Sequence, residues 1–370
     1  MDLPQVDDFR SIFLNQLPLL DVRAPVEFEQ GAFPFATNLP LINDRERESI
    51  GLQYKKLGQD EAIKLGYELV KGEIKEQRVN DWSLFFEQHP QAVLYCFRGG
   101  MRSKITQQWL YEKTGTIYPR VKGGYKAMRR FLIDELENAS SIIHPVILGG
   151  RTGIGKTILL QRFQQQIDLE GIFHHRGSVF GKHVTPQPSQ IDIENQLSIE
   201  LMKHTNNSQL NLLFEDEAAN IGSRRIPEVL FNKMKQSPLV LLEANVDDRV
   251  NITFNEYITE SLAEHQQHYG QDQGFDIWAN QLNDAIDRIQ RRLGGARYSE
   301  LKKILCDALL QQQTTNNSDF HKTWIRSLLV DYYDPMYDFQ ISKKQSRVAF
   351  KGYSDEVLDF LDKNYNIRIK

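Results

Sequence analysis

One stretch constrains this chain more than any other: VILGGRTGIGKTILLQRF, residues 146–163. A short apolar run enters it, G-x-x-x-x-G-K-T follows as Gly150, Gly155, Lys156 and Thr157, and helix-compatible sequence leaves it. Glycines let backbone N–H groups close on phosphate oxygens, Lys156 reaches a terminal phosphate, and Thr157 can ligate Mg2+. Thr152 and Gly153 lie inside the turn and complete the expected phosphate-binding set. Such a loop joins a strand to a helix, so the spacing predicts an α/β domain around it. Two later apolar runs, LNLLFEDE (210–217) and PLVLLEANV (238–246), are separated by polar helical sequence and suit further strands of one parallel sheet. Glu215, Asp216, Glu217 and Glu243 are all candidates for a carboxylate near the metal, and spacing does not choose among them.

At 370 residues the chain has room for two or three domains. Its 45 Lys plus Arg against 49 Asp plus Glu give a formal charge of −4, which excludes a globally basic nucleic-acid coat but not a basic face. With 40% hydrophobic residues and 25% charged, the composition is that of a folded protein. No window approaches the roughly 18 uncharged apolar residues of a spanning helix, and the start, MDLPQVDDFR, carries acids where an export signal has basic residues. A cytoplasmic address without membrane contact is expected. Only Cys96 and Cys306 are present, so neither a disulfide framework nor a cysteine zinc site is expected.

The first third alternates strands and helices: LPLLDVR (17–23), the helix-like PVEFEQG, a polar helical stretch from Asn43 to Gln88, and the buried-strand candidate QAVLYCF (91–97). A helix, KAMRRFLIDELEN (126–138), leads to the strand IIHPVILGG (142–150), which places a boundary between residues 135 and 141. The expected domains are 1–138, 139–250 and a mainly helical 251–370, whose tail MYDFQISKKQSRVAFKGYSDEVLDFLDKNY reads as two strands and a closing helix.

Cys96 ends an apolar strand and opens CFRGGMRS (96–103), after which the sequence turns helical. That arrangement aims backbone N–H groups and a helix N-terminus at the sulfur, lowering a thiol pKa and cradling an oxyanion. Gly99 and Gly100 permit the curvature, and Arg98 and Arg102 add positive charge. FHHRGSVFGKH (173–183) gathers His174, His175, Arg176, Lys182 and His183. Paired histidines without a third ligand argue against zinc. The mixture of cations with two Phe suits RNA phosphate contacts and base stacking, with a solvated loop as the alternative. GSRRIP adds Arg224 and Arg225 on a turn. Arg288, Arg291, Arg292, Arg297, Lys302 and Lys303 lie on a helical region, where a solvated face is the simpler reading. Cys306, on an apolar helical face, is expected in the core.

LLDVRAPVEFEQGAFPFATNLP (19–40) resembles the opening of a rhodanese domain, with Asp21, Val22, Arg23, Glu27, Phe28, Gly31, Pro34, Ala36 and Asn38 at that family's positions. In rhodaneses the loop cysteine carries sulfur or selenium, and Cys96 matches it. Arg102 lies six residues after the cysteine, where the common sulfurtransferase loop has its arginine at five. The wider Cys-x5-Arg loop is that of cysteine phosphatases and suits a tetrahedral oxyanion, hence a phosphorylated chalcogen donor. Through the same stretch and through YCFRGGMRS, GGRTGIGKT, HHRGSVFG, SRRIP and YYDPMY (332–337), the chain resembles the tRNA 2-selenouridine synthase family along essentially its whole length.

The resemblance implies a rhodanese-like domain followed by a P-loop NTPase-like parallel-sheet domain with a helical C-terminal extension. It implies a transferase that converts wobble 2-thiouridine of bacterial tRNAs for Lys, Glu and Gln to 2-selenouridine through an S-geranyl thioether. Geranyl diphosphate and selenophosphate are then co-substrates, with Mg2+ as an accompanying ion and no prosthetic group. A selenophosphate-producing enzyme becomes a natural partner. Cys96, with Arg98, Gly99, Gly100 and Arg102, would hold or relay selenium, and the loop from Gly150 to Thr157 would hold diphosphate, ATP or an RNA phosphate. Three other readings stand beside this one: an ATP-dependent kinase or NTPase with an inactive rhodanese-like module, a cysteine phosphatase, and a non-enzymatic RNA-binding module.

Overall fold

The computed structural model describes residues 4–208 and 210–370. Met1 to Leu3 of the acidic start, and Gln209, lie outside the described residues. The chain divides into two compact units, one made of residues 1–139 with 189–203 and the other of 140–188 with 204–370.

The first unit is built on five short strands: β1 (Gln5–Val6), β2 (Leu19–Asp21), β3 (Ala36–Asn38), β4 (Val93–Tyr95) and β5 (Arg120–Val121). They form one parallel sheet in the order β1-β5-β4-β2-β3. Every residue of β2 and β4 is buried, as expected of parallel strands covered on both faces. Leu20, Leu94, Trp82, Phe86 and Trp109 pack in one core cluster. Leu19, Val93, Phe13, Phe33, Met128 and Leu132 pack in another. Ile199 and Met202 join this second cluster from the helix Gln190–Asn206, so a segment well past the expected boundary belongs to the first unit. Hydrogen bonds fix it there: Ser198 Oγ donates to the Leu132 carbonyl at 2.7 Å and Asn195 Nδ2 to the Ala32 carbonyl at 2.6 Å. A reading by successive stretches cannot anticipate an element contributed from beyond the next strand.

Asp21 and Arg23 serve this scaffold. Arg23, 1% exposed, folds back on the Asp21 carboxylate, donates to the Gly31 carbonyl at 2.9 Å and lies 3.8 Å from the centre of the Tyr125 ring. The polar stretch between β3 and β4 becomes the helices Asp44–Leu57, Gln59–Leu69 and Glu73–Gln88.

The second unit carries β6 (His144–Gly149), β7 (Gln166–Ile167), β8 (Asn211–Glu215), the short antiparallel pair β9 (Asn220–Ile221) and β10 (Arg224–Arg225), β11 (Leu239–Leu242) and β12 (Val348–Gly352). Five of these form a parallel sheet in the order β12-β11-β6-β8-β7. Helix Ser354–Tyr365 covers it through Val357, Leu358 and Leu361. Between Val246 and Ser342 the chain is helical around Tyr257, Trp278, Ile286, Leu305, Trp324 and Leu328.

Two expectations are corrected. MYDFQIS is not a strand: Asp334–Ser342 is a helix continuing the one before it, and only β12 follows. Tyr337, Phe339 and Ile341 alternate as in a strand, but Met336 and Tyr337 pack on the helical core while Phe339 is 61% exposed. The closing strand pairs with β11, so the region after residue 251 completes the sheet of the second unit. Cys306 is exposed, because helix Gly295–Thr315 buries Leu301, Leu305 and Ala308, and its neighbour in sequence points away from that stripe. Among the described residues no helix is long and apolar enough to cross a membrane.

Because Ile199 fills the core of the first unit, Ile199→Ala should destabilise that unit by about 2–4 kcal/mol. Hydrogen exchange should show the loss in β2 and β4 and leave β6 and β8 protected. Loss confined to β6 and β8 would contradict the assignment of this helix.

Candidate functional site

The loop after β4 is held by its carbonyls. Tyr125 N donates to Cys96 O at 2.9 Å, Lys126 N to Phe97 O at 3.0 Å, and Arg120 Nη1 to Gly99 O at 2.6 Å. Among the described residues, the N–H groups of residues 98–101 donate to no acceptor in the protein, which leaves them for an anion. Gly99 has φ +64°, and a Cβ there would stand 2.7 Å from Gly123 N; a Cβ on Gly124 would stand 2.2 Å from Cys96 O. The Gly123–Gly124 doublet that lets two backbones meet was visible in the sequence as VKGGYK but carried no assigned role. Cys96 is 3% exposed, and its thiol donates to Ser103 Oγ at 3.3 Å.

The loop cations differ. Arg98 is exposed and has no hydrogen bond or ion pair among the described residues, so its charge is available. Arg102 is committed to Glu27, at 2.5 Å to Oε2 and 3.0 Å to Oε1. Burial alone would raise the Glu27 carboxyl, and Arg102 overcomes it and holds the group below the usual range. Glu27 thus ties the segment after β2 to the cysteine loop.

The second loop follows β6. Gly150, Gly153 and Gly155 all have positive φ, and a Cβ on Gly153 would lie 2.1 Å from Thr253 Oγ1. The Thr152 carbonyl accepts from Arg249 Nε at 3.1 Å. Arg249, 1% exposed, is paired in turn with both Asp334 oxygens at 3.0 and 2.6 Å, and Arg151 holds Asp338. The YYDPMY segment therefore braces the phosphate loop through Asp334. Thr157 Oγ1 donates to Glu215 at 2.6 Å and lies 3.2 Å from Glu170, which singles out Glu215, at the end of β8, among the four candidate carboxylates. Glu170 gave no signal in the sequence. Burial, then repulsion from Glu217, pushes the Glu170 carboxyl up; burial, then Glu170, does so to Glu215; burial and Glu215 do the same to Glu217 against the opposing pull of Lys156. Lys156 is half-buried; its desolvation would lower its pKa, but Tyr337 and the carboxyls of Glu170, Glu217 and Glu215 raise it above its ordinary value.

The second unit also holds a cavity of about 920 Å³ that brings together His174, His175, Lys182 and Arg224 with Arg288 and Arg292 from helix Gln271–Leu293. Glu217 also lines it. The His174 and His183 rings stack with centres 4.2 Å apart. Three expectations change. Phe173 and Phe180 are buried in the core, Phe180 against Tyr257 and Trp324, so neither ring is free to stack on a base. Arg176 is paired with Glu264 at 2.8 Å. Arg224 and Arg225 form a strand, with Arg224 donating to the Pro188 carbonyl at 2.7 Å and Arg225 outside the cavity. Lys302 is committed to Asp287.

The family model described as the tRNA 2-selenouridine synthase AAA domain matches residues 143–367. Curated relatives named tRNA 2-selenouridine synthase are similar over nearly the whole length. That of Sulfurovum sp. (strain NBC37-1) is 48% identical across 360 residues, 97% of this chain and 98% of the relative. Those of Marinobacter nauticus and Hydrogenovibrio crunogenus are 47% and 48% identical, covering 96% and 97% of this chain and 97% and 99% of their own.

Asp334→Ala would leave the Arg249 charge buried and unpaired, at a cost of about 3–5 kcal/mol. Thermal unfolding should show a clear fall in melting temperature, partly restored in Asp334→Asn, which keeps an acceptor. An unchanged melting temperature in Asp334→Ala would show that the brace is dispensable.

Proposed function

The chain belongs to the tRNA 2-selenouridine synthase family, and on that premise we propose that it modifies tRNA by exchanging the sulfur of wobble 2-thiouridine for selenium through an S-geranyl thioether. The observation that carries this reading is the pair of anion-accepting loops with different chemistry: one begins at a thiol, the other ends in Lys156 and Thr157. A kinase needs only the second and a phosphatase only the first. The substrates are the tRNAs for Lys, Glu and Gln, with geranyl diphosphate and selenophosphate as donors, the latter delivered by the enzyme that makes it. The reaction belongs in the cytoplasm.

In the first half-reaction the thiocarbonyl sulfur attacks the allylic carbon of geranyl diphosphate, the C–S bond forms, the C–O bond breaks and diphosphate leaves. Lys156 and the N–H groups of the phosphate loop meet the charge that develops on the leaving oxygen. Thr157 and Glu215 offer hard oxygen donors among carboxyls that repel one another, which suits Mg2+ completed by phosphate oxygens and water. When bound, that ion would neutralise diphosphate charge. In the second half-reaction selenium at the selenide level enters the base carbon, geranyl thiolate departs, and water takes the phosphoryl group of selenophosphate, so the exchange needs no outside oxidant or reductant. Cys96 frees the selenium by taking up the phosphoryl group: its sulfur attacks phosphorus, the P–Se bond breaks to release selenide toward the base, and water then hydrolyses the S-phosphocysteine, while Arg98 attracts the phosphorylated donor. Lys182, Arg224, Arg288 and Arg292 supply phosphate contacts for RNA.

Separate half-reactions test the division. Lys156→Ala should slow geranyl transfer about tenfold to a hundredfold, the loss of a charge-assisted contact worth about 1.5–3 kcal/mol. Supplied with tRNA already carrying the thioether, that variant should recover most of its selenation, whereas Cys96→Ser should form no 2-selenouridine and accumulate S-geranyl tRNA. Equal loss of both steps in Lys156→Ala, with weaker tRNA binding, would move the phosphate loop to the RNA surface.

A further inference from the structure

The first unit holds a cavity that neither half-reaction has yet used. Its volume is about 710 Å³, inside the range of about 300–1,000 Å³ typical of small-ligand sites. Its walls are apolar and aromatic: Ile50, Ile63, Tyr67, Val70, Ile105 and Trp109. The cysteine loop and the helix after it contribute Arg98, Met101 and Arg102 to its lining. Tyr54, Tyr67 and Met101 are 57%, 46% and 46% exposed there, large apolar surfaces left open to solvent.

Two glycines show that the space is kept open. Gly51 and Gly66 sit inside the helices Asp44–Leu57 and Gln59–Leu69, where glycine weakens a helix relative to alanine, and both line the cavity. Neither has a positive φ. A Cβ on Gly51 would meet nothing within 4 Å, and one on Gly66 only Ile50 Cδ1 at an ordinary 3.6 Å. Packing demands neither glycine; their effect is to widen the cavity. At the rim, Arg98 and Lys55 have no ion-pair partner among the described residues, a cationic edge fit for the phosphates flanking one nucleotide.

We propose that this cavity receives the branched ten-carbon chain of the S-geranyl thioether and so presents the carbon bearing it to the cysteine loop. The inference rests on the reading of the thioether as the intermediate and adds where its alkyl group is held during selenation. A site of this kind selects for chain length, because burying each further methylene strengthens binding. It also explains why a sulfur-selenium exchange would proceed through a bulky prenyl group: the chain is a handle as well as part of a leaving group.

The test titrates the full chain with S-geranyl-2-thiouridine, S-methyl-2-thiouridine and geranyl diphosphate, following tryptophan emission. Of the four tryptophans, Trp109 alone lines the cavity. The geranyl nucleoside should change the emission, the change should vanish in Trp109→Phe, and the methyl nucleoside should bind at least about a hundredfold more weakly. Gly51→Leu, which fills the space, should weaken the geranyl nucleoside at least tenfold at an unchanged melting temperature. Tyr67→Ala, on a partly exposed side chain, should weaken it as well. Equal binding of the two nucleosides, or full affinity in both variants, would overturn the proposal. A cavity response to geranyl diphosphate but not to the nucleoside would assign the site to the donor and overturn it too. Failure of the underlying reading looks different: the native chain would then selenate neither S-geranyl nor S-methyl tRNA, whereas equal selenation of both would leave that reading standing and remove the cavity from it.

Discussion

A loop fit to bind an anion must present N–H groups that no acceptor in the protein takes, and among the described residues both loops here meet that constraint. Each is shaped by what is done with its carbonyls. Tyr125, Lys126 and Arg120 take those of Cys96, Phe97 and Gly99; Arg249 takes that of Thr152. A neighbouring backbone at Gly99 and the Thr253 side chain at Gly153 come so close that only glycine fits there. The braces lie far along the chain from the loops they serve, and Arg249 needs a further brace, Asp334, because a buried guanidinium is tolerated only when paired.

This explains what could be read from the sequence and what could not. The phosphate loop, the cysteine loop and the flanking strands were legible because their requirements are local: a buried apolar run, glycines, then helical periodicity. The strands at 144–149, 211–215 and 239–242 fall inside the apolar runs that predicted them. Features that depend on distant partners were not legible. Tyr337, Phe339 and Ile341 alternate as in a strand, yet a preceding helix continues through them. Phe173 and Phe180 lie among cations in sequence but are buried in the core. Glu170 and Arg292 reach the sites of the second unit through tertiary placement that no spacing encodes. The helix carrying Ile199 belongs to a unit whose strands end long before it.

The chemistry gives a reason for two loops in two compact units. On the proposed reading, the thiol that would handle selenium is a soft nucleophile, and an allylic diphosphate is an electrophile that such a nucleophile attacks. Assigning the diphosphate to a loop of Lys156 and Thr157, and selenium to a loop of Cys96, lets the thiocarbonyl of the base be the nucleophile that is alkylated. On the proposed reading, the oxygen donors at Thr157 and Glu215, set among buried carboxyls, would belong to the same division.

The central claim is that this chain makes 2-selenouridine in tRNA, and the most direct measurement is mass spectrometry of wobble nucleosides. Cells that lack a selenouridine synthase would be compared with the same cells expressing this chain, both grown with selenium. The account predicts that 2-selenouridine derivatives appear only with the chain present, at the expense of 2-thiouridine. An unchanged nucleoside profile from cells containing folded protein would contradict it.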